Sequence, residues 1–200
     1  IVAATGQQMD PVQRERLLER AEKTKSGAWK GRSNDFPPSL PETYTWKFTQ
    51  DQVHDFAWFA DKRYNVIHQE FALESGKQVD GWVFFTNAHA EAWAGSMEYL
   101  VDGTRHYSKY VGDYPYSQVS VVDGTLAAGG GMEYPMVTVI NGTSNKKGLE
   151  RVIVHEIGHN WFYGILGSNE RENPWMDEGV NSYYEDRFFK EKYPRGESNF

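Results

Sequence analysis

Polar and apolar residues follow two periods along the chain, one typical of strands and one typical of helices. Tyr44, Trp46 and Phe48 alternate with polar residues, and this period of two predicts a half-buried strand. Further strands are expected over four apolar stretches: residues 65–73, 81–86, 118–122 and 132–140. Helices are expected over residues 11–24, 87–110, 146–163 and 175–192.

The order of these elements predicts the fold class. Asp10 and Asn87 are suitable N-caps for the first two helices. Strands come mainly first and helices last, which indicates an α+β fold with a mixed sheet rather than a doubly wound one. A charged segment followed by a proline-rich loop fills most of the first 43 residues. We therefore expect a peripheral segment over residues 1–60 and the main domain over residues 61–200.

Composition narrows the possible functions. The 200 residues are 39% hydrophobic, which is enough for a core. Cysteine is absent, so disulfides, thiolate ligands and a cysteine nucleophile are excluded. The net charge is −7 and no basic block occurs, which argues against nucleic-acid binding. No apolar run approaches the roughly 20 residues that span a bilayer.

Residues 155–159, with the sequence HEIGH, carry the strongest chemical signal. On a helix, His155 and His159 lie at i and i+4 on one face, so both imidazoles can reach one metal ion. Glu156 lies about 100° round the helix, beside such a metal, where a base for a metal-bound water belongs. The alternative is two helix histidines that are exposed or satisfied by ordinary hydrogen bonds.

A third ligand is available after a stretch that can reverse the chain. Glu178 follows His159 with eighteen residues between them, near the start of the next predicted helix. Two histidines and one glutamate leave the fourth position of a tetrahedral zinc site open for water. A glutamate at a helix start is also a favourable charge there. The histidines at this distance favour ligation.

These motifs resemble those of the gluzincin aminopeptidases, the aminopeptidase N and leukotriene hydrolase type. The resemblance rests on HEIGH, the eighteen-residue gap and the WMDEG sequence at 175–179, and it covers roughly residues 44–190. The GGMEY sequence at 130–134 resembles the family's exopeptidase motif, although Tyr134 stands where asparagine is usual. The resemblance implies a thermolysin-like catalytic domain with one zinc ion, preceded by the end of an N-terminal β-domain.

The resemblance also assigns roles in substrate binding. It implies that Glu133 holds the free N-terminal amine of a peptide substrate. Gly130 and Gly131 would let backbone approach the substrate closely, and the strand that begins at Met132 could pair with an extended peptide. A glycine turn with a merely solvated Glu133 is the alternative. Glu185 lies seven residues after Glu178, nearly on the same helix face, and could accept a hydrogen bond from a ligand histidine. A solvated glutamate is an equal alternative there.

The hypothesis from the sequence is a zinc metallopeptidase that removes N-terminal residues. Glu156 acts as the base on a zinc-bound water. An endopeptidase or another hydrolase on the same zinc site is the first alternative, since the family includes a member that opens an epoxide. The second is a zinc-binding module with feeble catalysis. The family's intermediate-stabilising tyrosine lies several tens of residues beyond the third ligand, whereas 22 residues follow Glu178 here. The resemblance thus implies an excised piece whose partners are the rest of a parent enzyme.

Overall fold

A five-stranded mixed sheet runs through the centre of the protein. The computed structural model describes residues 1–127, 129–143 and 145–194. The strands are β1 (Val2–Ala4), β2 (Gln7–Gln8), β3 (Phe48–Thr49), β4 (Trp58–Ala60), β5 (Asn65–Ala72), β6 (Gln78–Phe85), β7 (Gln118–Gly124), β8 (Gly131–Met132) and β9 (Val137–Asn141). The α-helices are α1 (Pro11–Lys25), α2 (Ala90–Trp93), α3 (Ser96–Val111), α4 (Lys146–His159) and α5 (Val180–Lys192). Two π-helical segments are Asn160–Ile165 and Trp175–Gly179.

The central sheet has the strand order β5-β6-β7-β9-β8. Its middle pairs, β6–β7 and β7–β9, are parallel, while β5 and β8 are antiparallel edge strands. Of the helices in the described residues, none is long and apolar enough to cross a bilayer. The mixed α+β architecture predicted from the order of elements is confirmed.

Both faces of the sheet are buried, which explains the near-continuous apolar run in β6. Val83 and Phe85 pack into the larger core with α3, α4 and α5. Trp82 and Phe84 point the other way, into a smaller core with Leu17 of α1. This alternation is the period of two expected of a strand. Helix α1 therefore covers the second face of the sheet.

The N-terminal elements are a helix and two short ribbons, β1–β4 and β2–β3. Helix α1 begins as predicted, because the Asp10 side chain accepts a hydrogen bond from the Val12 amide at 2.9 Å. The strand predicted over Tyr44–Phe48 is wrong except at its end. Its partner β2 has only two residues before Pro11 starts α1, so the ladder cannot extend further. The rings of Trp46 and Phe48 nevertheless stack.

The helix predicted over residues 87–110 is two helices, α2 and α3. Asn87 is not an N-cap. Its amide group donates to the carbonyl oxygens of Trp29 and Arg32 and ties down the loop after α1. Gly103 does not weaken α3, because it lies where α3 packs on Val154 of α4. The glycine lets the helix with the HEIGH sequence approach closely.

Three other predicted elements form, each with an interruption. The strand expected over 132–140 is divided into β8 and β9 by a turn in which Met136 has a φ of 65°. The helix expected over 146–163 becomes π-helical after His159, and the one expected over 175–192 starts as a π-helix. π-Helical turns occur frequently at functional sites. These two segments adjoin or contain the predicted metal ligands.

Candidate metal centre

Helix α4 brings the two histidines of the HEIGH sequence together. Their Nε2 atoms face one another at 3.1 Å. The helix is firmly held, since Leu149, Ile153 and Ile157 are fully buried on its core side. His159 is 1% exposed, whereas His155 lies closer to solvent. The pair therefore opens towards solvent on one side only.

Glu178 completes the group from the second π-helical segment. Its Oε2 atom lies 3.2 Å from Nε2 of His155 and 3.9 Å from Nε2 of His159. The side chain is 56% exposed. The structure thus brings the three predicted ligands to one point, with solvent access next to the glutamate.

Carboxylates hold both histidine rings from behind. Nδ1 of His155 donates to Glu185 at 2.9 Å, and Nδ1 of His159 donates to Asp177 at 2.6 Å. Glu185 is itself buried and bound by Arg151. A proton fixed on each Nδ1 leaves each Nε2 lone pair free to bind a metal. The sequence left open whether Glu185 contacts a ligand histidine or is solvated, and the structure brings it to His155.

The centre strongly favours positive charge. Burial lowers the pKa of His155, but the hydrogen bond to Glu185 and the neighbouring glutamates raise it to about 9. For His159, burial is likewise outweighed, chiefly by the hydrogen bond to Asp177, and the pKa is raised. Carboxylates that attract a proton to these rings also attract a metal cation. The electrostatics are therefore those of a cation site.

The residues fit a zinc ion by geometry and by chemistry. In a tetrahedral site with bonds of about 2.0–2.1 Å, two ligand atoms lie about 3.3 Å apart. The separations of 3.1 and 3.2 Å around Nε2 of His155 are close to this, and the 3.9 Å separation is somewhat longer. Two imidazoles and a carboxylate are a usual donor set for a zinc site with one open position.

Glu156, next to His155 in sequence, has one carboxylate oxygen without a partner among the described residues. The residue is 6% exposed, and this oxygen, Oε2, is buried. Burial raises the pKa of Glu156 to about 7, against the opposing effect of the two histidines. Gly131 in β8 packs directly on the Glu156 carboxylate, and a Cβ atom there would overlap it. The glycine is needed for this approach.

Glu133 follows β8 and lies at the rim of the centre. One of its carboxylate oxygens lies within 4.8 Å of a His159 ring nitrogen and of an Asp177 oxygen. Burial raises the pKa of Glu133, partly offset by His159. Met132 pairs with Val139 in the sheet. Gly130 has a φ of +72°, which favours glycine. The structure therefore brings the GGMEY sequence next to the histidines.

Helix α5 is locked against α4 behind the histidines. The amide of Asn181 donates to the His155 carbonyl at 2.8 Å, and its oxygen accepts from the Tyr107 hydroxyl at 2.7 Å. Gly158 makes room for both side chains, and a Cβ atom there would overlap them. The glycine of the HEIGH sequence thus permits the helix contact that positions Glu178 and Glu185.

Sequence analysis missed three side chains that support the centre: Asp177, Asn181 and Asn160. Asp177 could have been found, because a ligand histidine usually donates its second ring nitrogen to a carboxylate. From the sequence only one such carboxylate, Glu185, was expected, without a choice between the two histidines. Asn160 and Asn181 carry no such signal, because each contacts groups that are far away in sequence and that only the fold brings close.

Comparisons with known proteins find a short segment similar to an aminopeptidase and a fold similar to zinc metallopeptidases. No family model matches the chain. Human aminopeptidase Q is 39% identical over 61 residues, which is 29% of this chain and 6% of that protein. An M1 zinc metallopeptidase mutant from Deinococcus radiodurans superposes with a TM-score of 0.65 at 18% identity, over 96% of this chain and 38% of that one.

Two further solved structures extend this likeness. A two-domain M1 zinc metallopeptidase mutant bound to L-tryptophan gives a TM-score of 0.65 at 17% identity, over 98% of this chain and 38% of that one. Aminopeptidase A of Legionella pneumophila, in complex with aspartic acid, gives 0.57 at 16% identity, over 68% of this chain and 17% of that one. The chain thus spans less than two fifths of these relatives, and its α+β fold resembles that of M1 zinc metallopeptidases.

Proposed function

We propose that this chain carries the catalytic centre of a zinc metallopeptidase of the M1 aminopeptidase type. The observation that carries the proposal is the convergence of His155, His159 and Glu178, with both histidines backed by carboxylates. The segment identity with aminopeptidase Q and the shared fold support it. The proposed division places a peripheral segment, the end of an N-terminal β-domain, in residues 1–60 and the catalytic domain in residues 61–200.

His155, His159 and Glu178 are the proposed ligands of one zinc ion. Bound there, zinc supplies Lewis-acid chemistry, since it polarises a substrate carbonyl and lowers the pKa of water. Glu185 and Asp177 keep the two imidazoles in the tautomer that presents Nε2. In this proposal three residues bind the metal ion, and two carboxylates orient the imidazole ligands.

Glu156 is the proposed general base. Its unpartnered Oε2 accepts a proton from the attacking water and returns it to the nitrogen of the leaving amine. Because burial raises its pKa to about 7, it holds a proton more strongly than an exposed glutamate does. Close packing of Gly131 keeps bulk water from one side of the carboxylate.

Glu133 is the proposed recognition group for the free N-terminus. An ammonium ion bound to its carboxylate sits at a fixed distance from the histidines, which selects the first peptide bond. The short edge strand of Gly131 and Met132, with Gly130 directly before it, offers backbone groups to an extended peptide. Substrates are therefore peptides with a free N-terminus.

The test is peptide hydrolysis by the zinc-loaded protein and its Glu156→Gln variant. We expect the variant to keep its zinc and to lose about 10²–10⁴-fold in turnover, the usual contribution of a general base. Glu19→Gln, an exposed position on α1, is the matched control and should change neither quantity. Near-normal turnover in Glu156→Gln would reject the proposed base.

A second arm separates the alternatives. Each peptide is offered with a free and with an N-acetylated terminus. Preference for the free amine that is lost in Glu133→Gln supports the aminopeptidase. Equal cleavage of both forms by the unmodified protein would indicate an endopeptidase, and zinc binding without cleavage of either would indicate a metal-binding module.

A further inference from the structure

Asn160 links the helix that carries the histidines to the turn that carries Glu133. It directly follows His159 and is 4% exposed. Its Oδ1 atom accepts a hydrogen bond from the Met136 amide at 3.0 Å, and its Nδ2 atom donates to the Ile157 carbonyl at 2.9 Å. One side chain thus spans from α4 to the turn between β8 and β9.

The orientation of this amide is fixed by its partners. Oδ1 faces an N–H donor and Nδ2 faces a carbonyl acceptor, so the flipped amide would set like groups against each other. The Tyr114 hydroxyl, which donates to the Gln118 carbonyl at 2.9 Å, lies 3.4 Å from Oδ1. Neither water nor another rotamer is needed to satisfy Asn160.

The turn that Asn160 holds has an unusual backbone. Met136 is fully buried and has a φ of 65°, a left-handed conformation that non-glycine residues rarely adopt. Such a residue keeps this conformation only where its surroundings enforce it. Here its amide is bound by Asn160, and its carbonyl accepts from the Ser120 amide in β7 at 2.8 Å.

The turn determines where Glu133 stands. Glu133 lies between β8, which is paired with β9, and Met136 three residues later. The strand side is fixed by the sheet, and the Met136 side is fixed by Asn160 and Ser120. Asn160 is adjacent to His159, so it transmits the position of the histidine helix to the Glu133 carboxylate.

We propose that Asn160 is a positioning residue that sets the distance between the amine-binding Glu133 and the metal centre, and thereby the selectivity for a free N-terminus. This inference rests on the proposed function. A purely structural asparagine would affect stability alone, whereas a positioning residue affects the preference for a free amine over a blocked one. That preference can be measured apart from turnover.

The experiment compares the binding of leucine hydroxamate and N-acetyl-leucine hydroxamate to the zinc-loaded protein by calorimetry. The selectivity is the ratio of the two dissociation constants. We expect Asn160→Ala and Asn160→Leu to keep their zinc and to lower this selectivity about tenfold or more, because both leave the Met136 amide unpaired. Leucine fills the volume of the asparagine side chain, so Asn160→Leu shows the effect of the lost hydrogen bonds without the effect of a cavity.

Two further variants give the comparison its controls. Asn160→Asp retains an acceptor for the Met136 amide, and in its protonated form its second oxygen can donate to the Ile157 carbonyl as Nδ2 does. At a pH low enough to protonate this buried group, it should recover selectivity to within about threefold of the unmodified protein. Asn145→Ala removes the cap of the same helix, where the Asn145 side chain accepts from the Gly148 amide. It should lower the melting temperature without changing selectivity.

The outcomes separate this inference from the proposed function. Unchanged selectivity in Asn160→Ala or Asn160→Leu, or no recovery in Asn160→Asp, would overturn the role of Asn160 while leaving the zinc peptidase intact. Absence of selectivity in the unmodified protein would overturn amine recognition by Glu133, and the inference with it. A drop in Asn160→Leu that Asn160→Asp reverses supports the inference even if the alanine variant fails to fold.

Discussion

Among the described residues, three groups of histidine and acidic side chains have ligand atoms within 4.8 Å of one another. Two of these groups share His159 and lie at one place, the third lies on the sheet, and only the first place resembles a metal centre. The helix site consists of His155, His159 and Glu178. The strand cluster consists of His68, Glu70 and Asp80 on β5 and β6. Both have the residue types and the spacing of a cation site, so the difference lies in their surroundings.

The strand cluster already contains its cation. Glu70 and Asp80 are direct cross-strand partners, an arrangement in which two like charges destabilise a sheet. Arg14 of α1 neutralises them, with its Nη1 atom 2.7 Å from Asp80. The other Asp80 oxygen lies 2.5 Å from Nε2 of His68, whose ring packs on Trp82. The ligand atoms are therefore occupied by other protein groups.

The helix site has the opposite arrangement. Its carboxylates Glu185 and Asp177 bind the Nδ1 atoms and so leave the Nε2 atoms facing each other. Proximity of ligand-type residues is thus a poor criterion for a metal site. The better criterion is which atom of each histidine remains free after the other hydrogen bonds are made.

The largest expected effect is on metal content. The protein is purified without added metal, and zinc is measured by elemental analysis. We expect about one zinc ion per chain, lost in His155→Ala and retained in His68→Ala, because three protein ligands are needed to hold it. If His68→Ala lost its zinc and His155→Ala kept it, zinc would bind at the strand cluster and not at the helix site.

The next largest effect is on zinc affinity, and it tests the carboxylates that bind the Nδ1 atoms of the histidines. Glu185→Gln keeps a hydrogen-bond acceptor for Nδ1 of His155 but removes its charge. We expect zinc affinity to fall about 10- to 100-fold, the usual effect of changing such a partner. Glu70→Gln in the strand cluster serves as the control and should leave zinc affinity unchanged. Competition with a chelator of known affinity measures both.

The sequence predicted the candidate metal ligands more completely than the residues that hold those ligands in place. The i, i+4 spacing of His155 and His159 puts both rings on one face of any straight helix, and the spacing of seven puts Glu185 on nearly the same face as Glu178. The two strands β5 and β6 and the cap at Asp10 follow from local patterns as well. Local geometry fixes these features, so one sequence is enough to predict them.

Features that depend on distant partners could not be predicted in this way. Asn87 looks like a helix cap, but its side-chain oxygen accepts from the Asn65 side chain on β5 and its Nδ2 group donates to the loop after α1. Only the last residue of the strand predicted over Tyr44–Phe48 is in a strand, because its partner β2, far away in sequence, stops just before α1 begins. Asn160 bonds to the backbone of Met136, 24 residues earlier. In each case a tertiary contact outweighs the local preference.

The smallest expected effect concerns the stability of the strand cluster at acid pH. Burial acts to raise the pKa of Asp80, but hydrogen bonds from His68 and Arg14 outweigh it and hold the pKa below its usual value. A carboxyl group with a lowered folded pKa stabilises the protein above its unfolded pKa of about 3.9, and this stabilisation is lost as the pH falls through the folded pKa.

Asp80→Asn should therefore be less stable than the unmodified protein at pH 6, by about 1 kcal/mol or less for a partly exposed ion pair. The two should converge as the pH falls below about 4, because the unmodified protein alone loses this contribution. Urea unfolding at a series of pH values measures the difference, with the exposed Asp113→Asn as the control. If the difference in free energy of unfolding stayed constant down to pH 2.5, Asp80 would stabilise the sheet without its charge. The ion pair with Arg14 would then not be the source of the stabilisation.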